Sequence, residues 1–184
     1  MVRAILAGTK TQTRRIVKPR KDRYMGCELA PCELAGEVNG GDYRNAYCEP
    51  GDRLWVKEQT IRVEDHGWIG PVYTESDAGR QALEWGYGES DDPDHIPPHA
   101  SKRRPSLFMT RAMSRITLEV TAVRVERLQG LSRGDAMAEG CPFANMAKGP
   151  DPRQWYAELW DQLNGAGSWS ANPWVWVVEF RHGA

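Results

Sequence analysis

The hydrophobic positions of this sequence form a few periodic segments, which are separated by long stretches without a clear period. The apolar residues of segment 2–6 have helical spacing and predict a short helix with one buried face. Gly8 suits the end of that helix, because glycine adopts positive φ without steric cost. Segment 9–15 alternates small polar and basic residues, and Ile16 and Val17 follow it. This pattern predicts a loop that runs into a strand.

Three further segments have the alternation of β-strands. The strongest is 116–128, ITLEVTAVRVERL, in which the apolar phase slips by one residue and predicts a bulge near Ala122. A turn at 50–52 precedes a shorter alternating segment, 53–58. The last segment, 174–180, is apolar on both faces over its first part, which indicates a largely buried strand.

Capping residues predict two helices in the second half of the chain. Ser132 and Asp135 have the spacing of a capping box, and the short helix that they open closes at Glu139. A longer helix opens at Asp151, with Pro152 in its first position. Its apolar stripe contains Trp155, Tyr156, Leu159, Trp160 and Leu163. We interpret this stripe as core packing rather than as a ligand-binding surface.

Two long segments, 20–47 and 61–99, lack this periodicity. The first predicts a long loop, and the second predicts an acidic insertion with little regular structure. The chain length fits one domain, so we expect a single domain over 1–184 with an insertion at about 61–100. Few helices and several bent strands predict an α+β fold, built on a small mixed β-barrel with flanking helices.

Charge is unevenly distributed, although the net charge is only −1. Segment 1–23 has eight basic residues and one acid, whereas segment 64–94 has nine acids and one arginine. Segment 101–115 has five basic residues and no acid. This distribution predicts a basic face, with an acidic segment that lies elsewhere or covers it. The cluster at 101–106 fits either a solvated turn or an addition to that face.

Targeting and membrane signals are not expected in this sequence. Its first twenty residues are basic and lack a long apolar core, which argues against a signal peptide. No run of about eighteen apolar residues is present, so we expect no membrane span and a cytoplasmic location.

The four cysteines are Cys27, Cys32, Cys48 and Cys141. The first three could hold a metal together with Cys141 or a histidine, but their spacing is not that of a zinc ribbon. Free, reduced thiols are the favoured interpretation. His95 and His99 are separated by two prolines, which excludes a helical two-histidine metal face. We therefore expect neither a metal nor another cofactor.

Segment 9–15 also contains candidate chemistry. A threonine hydroxyl is a weak nucleophile until a base takes its proton, and a lysine can be that base if its pKa is lowered. Lys10 and Thr13 are close enough in sequence to meet, while Arg14 and Arg15 can stabilise a phosphate or an anionic intermediate. Thr11 lies at the same rim. The alternative interpretation is a solvated basic loop whose threonines make local hydrogen bonds.

Two further positions are candidates for a functional site. Glu139 lies at a predicted helix C-terminus, where the helix dipole disfavours a carboxylate, so either a functional use or chance explains it. Trp55 lies between Arg53 and Lys57 on an alternating segment. That pattern fits a stacking surface for a base, and it equally fits a half-buried tryptophan with a cation resting on it.

Four segments, in this order, resemble the ASCH domain family of the PUA-like superfamily. They are ILAGTKTQTRR, PGDRLWV, ITLEVTAVRVERL with the DAMAEG helix that follows it, and WVWVVEF. The chain is similar in particular to the longer ASCH proteins of bacteriophages and prophages, which would place it in the cytoplasm of a bacterial host. The resemblance is strong at both ends of the chain and weak over about 21–46 and 61–100.

This resemblance implies a PUA-like β-barrel with a cleft for a nucleobase or RNA. Small bacterial members of the family include an enzyme that hydrolyses N4-acetylcytidine with a lysine, a threonine and a glutamate. Those residues correspond to Lys10, Thr13 and Glu139. The implied reaction is acyl transfer, in which Lys10 takes the proton of Thr13, Thr13 attacks the acyl carbonyl, and Glu139 orients the substrate amide or helps to protonate the leaving amine.

Three functions therefore remain open at this point, with a modified nucleoside or RNA as the partner. The first is an amidohydrolase for an N4-acylated cytosine nucleoside. The second is a non-catalytic RNA-binding module, and the third is a ribonuclease, an activity also proposed for some ASCH proteins. The residues expected to bind substrate or nucleic acid are Thr11, Arg14, Arg15, Arg53, Trp55 and Lys57.

Overall fold

The computed structural model describes residues 1–18, 20–21, 25–40, 48–143 and 149–183. Packing divides these residues into two compact units. The first contains Met1, Arg3–Leu54 and Leu118–Ala184, and the second contains Val2 and Trp55–Thr117. The second unit includes the segment that was expected to be an insertion.

Most regular structure of the first unit was predicted from the sequence. Its helices are α1 (Val2–Leu6), α2 (Pro31–Gly40), α4 (Arg133–Ala138) and α5 (Pro152–Asn164). Its strands are β1 (Gln12–Ile16), β2 (Arg20–Lys21), β3 (Glu28–Leu29), β4 (Arg53–Trp55), β8 (Thr117–Arg127) and β9 (Trp174–His182), although the last residue of β4 and the first of β8 fall in the second unit. Because helices and antiparallel strands are both present, the predicted α+β class is confirmed.

The main sheet has the strand order β1-β9-β8-β4 and is antiparallel, curled into half a barrel. Thr13 of β1 pairs with Val178 of β9, and Val125 of β8 pairs with Trp176. The register of β8 against β9 shifts by one residue between Val120 and Ala122. The bulge predicted near Ala122 is therefore confirmed.

Strand β9 is buried on both faces, as its sequence predicted. Val175 and Val177 belong to a core cluster with Tyr156 and Trp160 of α5. Trp176 belongs to a different cluster, which includes Leu34 of α2. Alternate residues of a strand point to opposite faces, so α5 and α2 cover opposite sides of the sheet.

The expectation of a long loop over 20–47 is wrong for most of the described part. Residues 20–21 and 28–29 form a two-stranded ladder, and α2 follows. Leu34 and Ala35 of α2 are buried against the sheet, and Val38 packs beside them. Glycines within the helix weakened the sequence signal, but burial of this short apolar face stabilises it. Residues 41–47 lie outside the described part.

The second unit has its own sheet and core. Its elements are β5 (Thr60–Ile61), β6 (Val72–Tyr73), β7 (Arg103–Arg104) and α3 (Asp77–Trp85), with strand order β6-β5-β7. Ile61, Val63 and Ile96 are fully buried there. The side chain of Ser76 caps α3 by accepting a hydrogen bond from Gly79 N. The expectation of little regular structure over 61–99 is therefore wrong.

Ion pairs within the second unit join its acidic and basic segments. Arg104 pairs with Glu64, and Lys102 Nζ lies 3.9 Å from Asp65 Oδ2. Arg115 donates two hydrogen bonds, of 3.0 and 2.9 Å, to the buried Glu58 carboxylate. Two residues of the acidic segment 64–94 therefore pair with the basic segment 101–115.

The four cysteines lie within the described residues, as do the groups that were considered as metal ligands. Cys27 and Cys32 are exposed, whereas Cys48 and Cys141 are buried. Within the described ranges, no group of three or more histidine, cysteine, aspartate or glutamate side chains is arranged to hold a metal ion. No helix in these ranges is long and apolar enough to cross a membrane.

Candidate active site

A cavity of about 750 Å³ lies in the first unit, where the start of β1, the end of α4 and the face of α5 meet. Its lining combines charged residues with aromatic ones. The residues that matter for its chemistry include Lys10, Thr13, Arg14, Glu139, Trp155 and Tyr156. The cavity thus brings together the three residues that the sequence resemblance assigned to catalysis.

Backbone contacts place Lys10 directly against Glu139. The two residues form an isolated antiparallel β-bridge, and Thr11 N donates to Ala138 O at 2.8 Å. Gly140, which follows Glu139, has a φ of 92°. A Cβ atom on Gly140 would lie 3.1 Å from Lys10 Cβ, so glycine permits this close approach. The predicted capping box of α4 and its end at Glu139 are both observed.

Lys10 and Glu139 form a buried ion pair. Lys10 Nζ donates to Glu139 Oε2 at 2.6 Å and to the Glu139 backbone carbonyl at 3.0 Å. Their side chains are only 4% and 3% exposed. Burial lowers the pKa of Lys10, and the Glu139 carboxylate opposes this by raising it. The positive charges of Arg15 and Arg14 lower the pKa of Lys10 further, so the net direction is downward.

Arg14 has no exposed side-chain surface. Its Nη1 donates to Glu139 Oε1 at 3.1 Å, and its Nη2 donates to Glu126 Oε1 at 2.7 Å. Its Nε is buried without a partner among the described residues. The interpretation of segment 9–15 as a solvated basic loop is therefore wrong for Lys10 and Arg14. Neighbouring carboxylates compensate both charges, which makes their burial tolerable.

An ion network lies behind Arg14 and joins α4 to the sheet. Arg124 of β8 donates to Glu126 Oε2 at 3.0 Å and to Asp135 Oδ1 at 2.9 Å, and it also pairs with Glu179 of β9. Gln12 Nε2 donates to the Asp135 backbone carbonyl at 2.9 Å. Sequence reasoning missed this network. One available signal was the alternation of β8, which predicts Arg124 and Glu126 on the same face.

Asp135 has two tasks, because it caps α4 and accepts charged hydrogen bonds. Burial acts to raise the pKa of Asp135, but hydrogen bonds from Ser132 and Gln12 and the charge of Arg14 overcome this. Together they lower the pKa of Asp135 to about 2. Its carboxylate is therefore ionised at neutral pH and holds α4 in place.

Helix α5 supplies the aromatic part of the cavity. The predicted helix and its cap are confirmed, since Asp151 accepts a hydrogen bond from Arg153 N. Tyr156 and Trp160 belong to the core, as expected for the stripe, yet the stripe also lines the cavity. The interpretation of the stripe as core packing is therefore confirmed for Tyr156 and Trp160, whereas Leu163 is 62% exposed. Burial, and then the Glu139 charge, raise the pKa of Tyr156, so its hydroxyl stays protonated.

Thr13 is half-buried on β1 and lines the cavity. Within the described part of the chain, no hydrogen bond joins its hydroxyl to Lys10, whose recorded acceptors are both on Glu139. Arg15 is exposed and also lines the cavity, whereas Thr11 is exposed and does not. Among the predicted binding residues of this segment, Arg14 and Arg15 therefore reach the cavity.

Comparison with protein-family models, with curated proteins and with solved structures finds no match for this chain. What the site can do is therefore inferred from its own chemistry.

The remaining predicted binding residues lie elsewhere. Arg53 is exposed in the first unit and does not line the cavity, and Trp55 and Lys57 belong to the second unit. Lys57 Nζ lies 5.1 Å from the centroid of the half-buried Trp55 ring, and it donates to Leu107 O. Of the two alternatives for Trp55, the structure has the tryptophan with a cation resting on it.

The cavity combines the groups that acyl transfer requires. It contains a hydroxyl, an amine whose pKa is lowered, a carboxylate that contacts the amine, and a cation in Arg15. A hydroxyl and a basic amine can act as nucleophile and base, and a cation can stabilise a developing oxyanion. The aromatic side chains of α5 give a planar base a surface on which to stack.

Proposed function

We propose that this protein is a PUA-like protein of the ASCH family, and that it removes an acyl group from an N4-acylated cytosine nucleoside. The observation that carries this proposal is the buried contact of Lys10 with Glu139 in the cavity that Thr13 lines. A buried lysine of lowered pKa is a group that enzymes use as a base. The order of the four family-like segments along the chain supports the same assignment.

Lys10 can supply a lone pair without losing its contacts. Its Nζ donates to two acceptors, Glu139 Oε2 and the Glu139 carbonyl. The ammonium form has three donors, whereas a neutral amine has two donors and one lone pair. Loss of the third proton therefore keeps both contacts with Glu139 and leaves a lone pair that can accept a proton. Thr13 is the candidate nucleophile, because it lines the same cavity as Lys10.

In the proposed reaction, Lys10 accepts the Thr13 proton while Thr13 Oγ attacks the acyl carbonyl carbon. The bond between that carbon and N4 then breaks, and Lys10 returns the proton to N4, which leaves as the amine of cytosine. In the second half, water attacks the carbonyl carbon of the threonine ester while Lys10 accepts a proton from the water. The bond between that carbon and Thr13 Oγ then breaks, Lys10 returns the proton to Oγ, and the acid is released. Glu139 holds the amine of Lys10 and orients the substrate amide, and Arg15 stabilises the oxyanion.

A phosphate-directed role is less well supported by the charges of the cavity. Arg14 is committed to Glu139 and Glu126, so its charge is compensated within the protein. The exposed cations that line the cavity are Arg15 and Lys18. They favour RNA binding as the second candidate function, because exposed cations beside aromatic side chains suit a single strand. A neutral nucleoside fits the buried part of the site better.

The decisive experiment is N4-acetylcytidine turnover by the purified protein and by Thr13→Val and Lys10→Met. We expect each substitution to lower kcat by about 10²- to 10⁴-fold, because each removes a group that moves a proton or forms the ester. Mass spectrometry of the wild-type protein during turnover should detect acylated Thr13. Thr121→Val changes an exposed threonine of β8 in the same way and should keep full activity.

Absence of turnover by the folded wild-type protein would refute this substrate. RNA binding would then be tested with short single strands, and it should weaken steeply with rising salt if Arg15 and Lys18 contact phosphates.

A further inference from the structure

The Glu139 carboxylate is shared between two cations. Its Oε2 accepts from Lys10 Nζ at 2.6 Å, and its Oε1 accepts from Arg14 Nη1 at 3.1 Å. All three side chains are at most 4% exposed, so no solvent competes for these contacts. The carboxylate therefore has a fixed orientation in which each oxygen faces a different partner.

Two further carboxylates fix the position of Arg14. Its Nη2 donates to Glu126 Oε1 at 2.7 Å and lies 3.7 Å from Asp135 Oδ1. Arg124 contacts both of those carboxylates, which limits their freedom to move. The Tyr156 ring, whose centroid is 5.9 Å from Arg14 Cζ, covers the guanidinium. A planar guanidinium with two nitrogens engaged in different directions cannot rotate without breaking a contact.

We propose that Arg14 is a positioning residue for the Lys10–Glu139 pair: it holds one oxygen of the Glu139 carboxylate, so that the carboxylate cannot commit its whole charge to the Lys10 amine. The inference rests on the proposed function for its catalytic meaning, because a base must be able to lose its proton. Arg14 does not contact the substrate but acts through Glu139.

The charges that face Lys10 determine whether a substitution raises or lowers the pKa of Lys10. These are Glu139, which favours the ammonium form, and Arg14 and Arg15, which disfavour it. Tyr156, on α5, is protonated and adds no charge. Removing Arg14 would leave Glu139 with Lys10 as its remaining cation partner among the described residues, which stabilises the ammonium form. Removing Glu126 would leave the Arg14 charge more fully available to Glu139. This change stabilises the neutral form of Lys10.

Two substitutions therefore shift the titration of Lys10 in opposite directions. Arg14→Gln should raise the pKa of Lys10, and Glu126→Gln should lower it. The measurement is a pH titration of the lysine ¹³Cε resonances, in which the Lys10 signal is assigned by its loss in Lys10→Met. Arg181→Gln removes an exposed arginine that pairs with Glu119, and it should leave the Lys10 titration unchanged.

The same variants have a kinetic prediction. The acidic limb of the kcat/KM profile for N4-acetylcytidine follows the pKa of Lys10, because only the neutral amine accepts a proton. That limb should move to higher pH in Arg14→Gln and to lower pH in Glu126→Gln. A residue with a merely structural role would lower activity without such paired, opposite shifts.

An unchanged Lys10 titration in folded Arg14→Gln, or shifts of the same sign in both variants, would overturn the proposal. If Arg14→Gln fails to fold, the Lys10 titration in Glu126→Gln tests the proposal by itself. Glu126 is 24% exposed, so its loss leaves less unpaired charge buried than the loss of Arg14 does. A downward shift there supports the proposal, and any other result overturns it. The resonance titration needs no substrate, so failure of the proposed function would not be mistaken for failure of this inference.

Discussion

The candidate site contains a buried lysine and a buried arginine that are four residues apart in the chain. Lys10 and Arg14 are only 5% and 2% exposed. Isolated charges at such positions would cost several kcal/mol each, so their persistence depends on Glu139, Glu126 and Asp135. At the scale of single residues, the site is therefore an arrangement of compensated charges, in which one change alters the protonation of the others.

Asp135 provides a pH-dependent test of this network. Asp135→Asn removes the carboxylate that caps α4 and contacts Arg124, and it should destabilise the protein by about 1 to 2 kcal/mol at neutral pH. The pKa of Asp135 is about 2 in the folded protein and about 4 when unfolded. Its stabilising contribution is therefore complete above about pH 4 and is lost as pH falls toward 2.

Urea unfolding at a series of pH values measures this contribution. The difference in unfolding free energy between wild type and Asp135→Asn should shrink steadily below about pH 4. Asp91→Asn, which changes an exposed aspartate, should track the wild type throughout. A difference that persists undiminished at pH 3 and below would contradict the role assigned to the Asp135 charge.

Local patterns indicate the candidate catalytic residues but not the charges that surround them. Lys10 and Thr13 fall in one short segment, and Glu139 ends a helix whose capping box is visible in the sequence. The partners of Arg14 are not local, since Glu126 is 112 residues away in the chain and Glu139 is 125. An arginine is ordinarily exposed, so nothing nearby in the sequence indicates that Arg14 is buried.

At the scale of elements, the segments with strong local signals were predicted correctly. The capping box fixes the start of α4, the N-cap aspartate and N1 proline fix α5, and the phase slip locates the bulge of β8. Helix α2 was missed because it contains glycine and a narrow apolar face, and its stability comes from contact with residues such as Trp176. Helix α3 was missed within an acidic, glycine-containing segment.

Helices α2 and α3 offer a matched pair of glycine substitutions. Replacing a helical glycine by alanine ordinarily stabilises by up to about 1 kcal/mol. A Cβ on Gly79 of α3 would lie 1.9 Å from Tyr73 O, whereas a Cβ on Gly36 of α2 would meet nothing within 4 Å. Gly79→Ala should therefore destabilise by about 1 to 3 kcal/mol, and Gly36→Ala should stabilise.

Thermal and urea unfolding of the two variants measure this difference. Equal effects of the two substitutions would show that helix propensity, rather than the contact of α3 with the Tyr73 backbone, decides the outcome at Gly79.

At the scale of the whole molecule, the chain is organised as two units with separate cores. The chain enters the second unit at the end of β4 and returns to the first unit at the start of β8. These two strands are adjacent in the main sheet, and just beyond them Val56 N donates to Ile116 O at 3.0 Å. The residues of the candidate site all belong to the first unit. The expected insertion at about 61–100 lies within the second unit, and the sequence did not predict that this unit has its own sheet.

Removal of the second unit tests this organisation. In the variant, residues 57–115 are replaced by Asn-Gly, which favours the two-residue turn that joins antiparallel strands. We expect the shortened protein to unfold cooperatively and to keep the turnover of N4-acetylcytidine proposed for the full chain, because the core of the first unit and the candidate site lie outside the deleted part. Near-UV circular dichroism and the turnover assay measure both properties, and loss of cooperative unfolding would contradict the expectation.

The register shift in β8 restricts how this sequence can change over generations. Leu118 and Val120 on one side of the shift and Val125 on the other are all buried, although they are out of phase. A substitution in this strand alters one side chain, whereas loss or gain of a single residue turns one half of the strand over and exposes its apolar side chains. Strand β8 therefore tolerates substitutions better than insertions or deletions. We expect the gaps in an alignment of this chain with any homologue to fall outside 117–127.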